Sequence, residues 1–122
     1  MEREEFERLV AEALEDVPEF FKEKLDNIDI VIEDKPSRGL LRRLRIPTGG
    51  TLFGLYQGVP MRERGLHYGG VLPDKITLFK EPLEGSCRSS KALRERVRHT
   101  VLHELAHYFG ISDERLKELG VY

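Results

Sequence analysis

Phe6, Leu9, Val10, Ala13, Leu14 and Val17 recur at the three- and four-residue spacing of an amphipathic helix, with Glu and Arg between them. Pro18 interrupts the run and opens a second, short helix through Phe20, Phe21 and Leu25. From Ile28 the period changes to two. Ile28, Ile30 and Ile32 alternate with Asp29, Val31 and Glu33, which predicts a strand that Pro36 and Gly39 bring to an end. Residues 36–50 read as a long loop with room for one helical turn.

Two more strands are predicted, at residues 51–57 and 75–80. In the first, Gly54 either permits a close backbone approach or marks a bulge. Between them Gly58, Pro60, Gly65, Gly69, Gly70 and Pro73 punctuate the chain, leaving room for a short extra strand at 66–71. Ser89 or Ser90 then caps a long helix with its body at 91–109 and its stop at Gly110. Ser112 caps a short terminal helix through Leu116 and Leu119. The order predicts an α+β fold, with helices packed on one small sheet.

Composition narrows the function classes. A length of 122 residues fits a single domain spanning 1–122, and 39% hydrophobic residues suffice for a core. A net charge of −2 excludes a histone-like basic protein and an acidic-tail protein. The charge is uneven: residues 1–34 carry 13 acidic and 4 basic groups, residues 35–64 carry 1 and 7. Arg38, Arg42, Arg43 and Arg45 concentrate the basic segment. It reads as a solvated loop paired with the acidic first helix, or else as a patch for RNA or an acidic partner. One cysteine, Cys87, excludes an internal disulfide and a multi-cysteine zinc knuckle, and reads as a small buried hydrophobe. No run reaches the 18 or more apolar residues of a membrane span, and the start is acidic where a signal peptide is basic. These features predict a soluble, cytoplasmic protein, monomeric or weakly self-associated.

The chemistry sits in one run, His103-Glu104-Leu105-Ala106-His107. On a helix the two histidines lie about 40° apart around the axis and about 6 Å along it, so both imidazoles can meet one ion. Zinc accepts neutral imidazole nitrogens and keeps an open position for water in catalytic sites. Glu104, about 100° away from His103, stands where a general base belongs. With 4 His and 16 Glu in 122 residues, chance yields roughly 0.02 such patterns. Leu93, Val97, Val101, Leu102, Leu105, Tyr108 and Phe109 form the predicted buried arc of the helix, and both histidines fall outside it. His99, one turn earlier, lies about 12 Å from His107 along the axis, too far for one ion to hold all three. It reads as a supporting or surface residue, and His67 as a less favoured active-site candidate.

The longer run from His103 to Asp113 resembles the extended zincin signature HExxHxxGxxD, and the chain is similar to small bacterial zincin-like metallopeptidases over about residues 30–120. Residues 54–60 and 72–79 carry the resemblance further. It implies a minimal zincin fold: a small mixed sheet, an N-terminal helix, a long active-site helix and a short C-terminal helix. It also implies a zinc metallopeptidase acting on a peptide or protein substrate, with Zn2+ held by His103, His107 and Asp113 and a metal-activated water deprotonated by Glu104. His67, Tyr68 and Tyr122 are unranked candidates for the oxyanion donor. Asp113 stands where larger metzincins carry a third histidine, and nine residues after it leave no room for their methionine turn; Met61 lies upstream. Gly110 is what lets the chain turn back and deliver Asp113, in preference to His99, His67 or Glu118. By analogy with zincins, a peptide would bind as an added strand along the edge formed by 51–57. The rival readings are a metal-stabilised binding or regulatory module with residues 38–45 as its docking loop, and a metal-dependent hydrolase of non-peptide substrates. Neither nucleic acid nor membrane is an expected partner of the peptidase.

Overall fold

A computed structural model describes residues 1–58 and 74–120. The chain order is α1 (Arg3–Glu15), α2 (Glu19–Leu25), β1 (Ile28–Glu33), α3 (Arg38–Arg43), β2 (Gly54–Gln57), β3 (Asp74–Phe79), α4 (Lys80–Gly85), α5 (Ser90–Tyr108) and α6 (Asp113–Glu118). The architecture is the expected α+β one. The three strands run β1-β3-β2, with β1 parallel and β2 antiparallel to the central β3. The strand predicted at 66–71 lies outside the described residues.

The apolar stripe of α1 does what its spacing dictates: Phe6, Leu9, Val10 and Ala13 are buried, and Val17 just after the helix joins them. The four α1 residues pack with Ile76 and Leu78 of β3, Leu83 of α4 and Leu93, Val97 and Val101 of α5. A second cluster joins Val17 and Phe21 to Leu102, Leu105 and Ala106 of α5 and Leu116 of α6. Each large side chain fully withdrawn from water contributes about 1.5–3 kcal/mol of transfer free energy. Helix α5 is therefore the element both clusters share.

Four points refine or correct the sequence reading. Phe20 is exposed, while α2 buries Phe21 and packs Leu25 partly against both clusters. Tyr108 and Phe109, assigned to the buried arc of α5, are 50% and 45% exposed. The arc is instead completed by Thr100 and Ala106, whose small side chains let neighbouring elements come close. A helix not anticipated in the sequence, α4, follows β3 directly; Pro82 sits in its first turn, where a missing N–H costs nothing. Lys80 pairs with Glu84 across that helix at 3.0 Å. Finally, the basic residues at 38–45 do not pair with α1. Ser37 caps α3 by accepting from the Leu40 amide, and among the described residues no ion pair reaches Arg38, Arg42, Arg43 or Arg45. The acidic face of α1 is met by Arg3, which pairs with Glu7, and by Arg94 of α5, which reaches Glu12.

Strand β2 lies unusually close to α5. A Cβ on Gly54 would stand 2.8 Å from Thr100 Cγ2 and 3.2 Å from the Thr77 carbonyl oxygen. Gly54 thus serves the strand–helix packing, and no bulge interrupts the pairing register from Gly54–Leu78 to Gln57–Lys75. Gly54→Ala is expected to destabilise the protein by about 1–3 kcal/mol through overpacking. Thr100→Ser removes the clashing methyl while keeping the hydroxyl that donates to the Arg96 carbonyl at 2.7 Å. Urea denaturation of the two single variants and the double variant checks this, with part of the loss recovered in the double.

Candidate metal centre

Helix α5 carries the site because both of its ends are well specified. At the start, the Ser89 hydroxyl accepts from the Ala92 amide. At the end, Gly110 takes φ 72°, its amide donates to the His107 carbonyl, and the Ile111 amide donates to the Ala106 carbonyl at 2.8 Å. This pair of bonds is the Schellman termination, which reverses the chain within two residues. Ile111 anchors the turn against the second core cluster. Ser112 then caps α6 by accepting from the Arg115 amide, so that Asp113 opens the new helix.

The turn carries Asp113 back beside α5. His103 and His107, one helical turn apart, have ring centroids 4.1 Å from each other. His103 Nδ1 lies 3.7 Å from Asp113 Oδ1. One nitrogen of each histidine and one oxygen of Asp113 all fall within 4.8 Å of one another, the one such triple of His, Cys, Asp or Glu among the described residues. His103 Nδ1 is buried without a hydrogen-bond partner. A bare imidazole lone pair facing a carboxylate is unfavourable unless a proton or a cation stands between them. Two imidazoles and one carboxylate are donors that suit zinc.

The other sequence candidates lie elsewhere. His99 is exposed, its ring 6.1 Å from that of His103. Partial desolvation of its ring holds the His99 pKa below the ordinary imidazole value, reinforced by the neighbouring His103 and Arg96 and opposed by Asp113. Cys87 packs at the margin of the first core cluster. Glu118 pairs with Arg115 at 2.8 Å. His67, Tyr68, Met61 and Tyr122 lie outside the described residues.

Glu104 points toward the sheet. Its Oε1 accepts a hydrogen bond from the Tyr56 amide of β2 at 3.0 Å. The Phe79 amide donates to the Phe53 carbonyl, so Leu55 and Gln57 also turn their backbone groups toward β3, while those of Gly54 and Tyr56 point away from it. Among the described residues β2 is an edge strand, and Glu104 occupies one of its outward amides. The Tyr56 ring stacks on Tyr108 with centroids 3.9 Å apart, and its hydroxyl donates to Asp74 at 2.7 Å. A groove of about 490 Å³ runs beside these groups, lined by residues 51–54 of the chain before and in β2 and by Arg96, His99, Thr100, His103 and Glu104 of α5. The Tyr56 amide was invisible to sequence reasoning because backbone groups have no letter. The alternation Gly54-Tyr56-Gly58 was the available signal.

The profile of the zincin-like metallopeptidase family matches residues 25–121. The chain belongs to that family. This zincin-like chain also resembles the solved structure of a conserved hypothetical protein from Thermo thermophilus. Identity is 27% and the TM-score 0.57, over 89% of this chain and 94% of that one. No curated protein matches the sequence. Membership carries zinc and peptidase chemistry at the level of the family, and no helix among the described residues is long and apolar enough to cross a membrane.

Because the grouping of Asp113 with His103 and His107 depends on the Gly110 turn, Gly110→Ala is expected to cost about 1–2 kcal/mol of left-handed strain. Gly85 has no atom in the way of a Cβ and no positive φ, so Gly85→Ala should be neutral or mildly stabilising. Thermal melts of the two variants side by side test the contrast.

Proposed function

We propose that this chain is a zinc-dependent peptidase whose metal is held by His103, His107 and Asp113, with Glu104 as general base. The observation that carries the reading is the convergence of those three side chains beside a carboxylate anchored at a sheet edge. Zinc, when bound there, supplies Lewis acidity that acidifies water and polarises a carbonyl.

The protein's own groups account for the rest. The two histidines serve as neutral imidazoles and Asp113 as an anion, so the ligand set leaves a net positive charge with divalent zinc. Glu104 binds the Tyr56 amide through Oε1, which leaves Oε2 to take a proton from the attacking water. The same oxygen passes that proton to the leaving amine as the C–N bond breaks. The hydrogen bond from the Tyr56 amide holds the Glu104 carboxylate in place, so the base is oriented before substrate arrives. A peptide lying along β2 pairs with the outward groups of Gly54, since the Tyr56 amide is already engaged.

In Glu104→Gln the amide oxygen still accepts from Tyr56 while proton transfer is lost. Peptide hydrolysis should fall about 10²–10⁴-fold with zinc content and thermal stability unchanged. A hydrolysis rate close to that of the native protein in this variant contradicts the general-base role.

Neither core cluster contains a proposed ligand. Removing zinc with a chelator should therefore lower the melting temperature by several degrees through mass action, with helical circular dichroism intact at 25 °C. Loss of the helical signal at that temperature would show the metal to be needed for folding.

Zinc titrations distinguish the third ligand. Asp113→Ala should weaken zinc at least tenfold, whereas His99→Ala and Glu118→Ala leave affinity within about twofold. The reverse pattern overturns the assignment.

A further inference from the structure

Arg96 sits at the far end of the groove from Glu104, with its guanidinium 5.3 Å from the centre of the Phe53 ring. Among the described residues it has no ion-pair partner. Of the described side chains lining this groove only Glu104 is acidic, and its Oε1 is engaged by the Tyr56 amide. From these observations we infer that the groove selects peptides with an acidic side chain about three residues from the scissile bond, the carboxylate being received by Arg96. The inference rests on the peptidase reading and adds the substrate class to it.

Two rulers give the spacing. Along α5, Arg96 precedes His103 by seven residues, about 10 Å of helix rise. An extended peptide covers that distance in about three residues. Along β2, Phe53 precedes Tyr56, the residue that holds Glu104, by three positions. A peptide paired on the β2 edge with its reacting bond beside Glu104 therefore passes Arg96 at its third residue.

The chemistry of the end point is equally constrained. A guanidinium held over an aromatic ring by cation–π attraction keeps its N–H groups available to a ligand, because the ring offers no hydrogen-bond acceptor that would saturate them. Such an edge matches a carboxylate with two parallel hydrogen bonds, which a neutral amide side chain cannot equal. The Thr100 hydroxyl is not a competitor in the groove, because it donates back to the Arg96 carbonyl.

The test uses fluorescein-labelled octapeptides of Ser and Ala with one Glu walked through every position, each beside its Gln counterpart. Binding is read by anisotropy on zinc-loaded Glu104→Gln protein, and cleavage on the otherwise native enzyme. The best Glu peptide is expected to bind about tenfold tighter than its Gln twin, with the gap falling within twofold in Arg96→Gln and a matching Lys peptide preferred in Arg96→Glu. The native enzyme should cleave Glu peptides at a bond three residues from the acid. Equal binding of Glu and Gln peptides, or a preference that survives Arg96→Gln, overturns the inference. Cleavage without acidic preference defeats the groove assignment and leaves the peptidase reading standing. Arg96-dependent binding without cleavage does the opposite. Because Arg96 is exposed, its variants should keep the native melting temperature, and that measurement guards against misfolding.

Discussion

The close contact of β2 with α5 is the constraint on which the rest of the structure depends. The two elements run in the same direction, with Gly54 against Thr100, the Tyr56 amide on Glu104 and Gly58 against Tyr108. Four strand residues span about 13 Å and eight helical residues about 12 Å, so two residues of strand keep pace with one turn of helix. That near match lets every second residue of β2 meet a successive turn of α5. It works only if the meeting residues are small or planar, which Gly54, Gly58 and the stacked Tyr56 and Tyr108 rings provide.

The contact also positions the candidate metal centre. Glu104 lies on the side of α5 that faces the strand, while His103 and His107 lie just past it, clear of both core clusters. One helix face therefore supplies a tether to the sheet and two imidazoles side by side. The Schellman turn at Gly110 adds Asp113 from the next helix, and the turn is itself fixed by the packing of Ile111. Acidity at that point is favoured by the first turn of α6 in its own right, so Asp113 suits both its helix and its proposed ligand role.

Much of this was legible in the sequence, and for physical reasons. The stripe of α1, the period-two run of β1, the serine caps of α5 and α6 and the glycine stop each reflect a local rule that tertiary packing did not override. The His103–Glu104–His107 spacing was legible because helix geometry converts spacing directly into proximity, and Gly110 marked the turn that brings Asp113 back to it. What escaped was set by partners far away in sequence. Tyr108 and Phe109 look like core residues by period, yet Tyr108 lies flat on Tyr56 and Lys24 stands 4.3 Å over the ring of Phe109 at the surface. Helix α4 hides behind Pro82 and Gly85, which discourage a helix in its middle but not at its ends. The arginines of α3 match the acidic α1 by charge count, but net charge carries no geometry, and Arg94 of α5 is the basic residue that the fold brings to Glu12.

The central claim is that the space among His103, His107 and Asp113 is a zinc centre served by α5. X-ray absorption at the zinc edge of the loaded protein tests it most directly, because the outer-shell scattering of imidazole rings can be counted and sulfur separated from nitrogen and oxygen. The account predicts two imidazoles, with all donors being nitrogen or oxygen at about 2.0–2.2 Å. A third imidazole, or a sulfur at about 2.3 Å from Cys87, would contradict it.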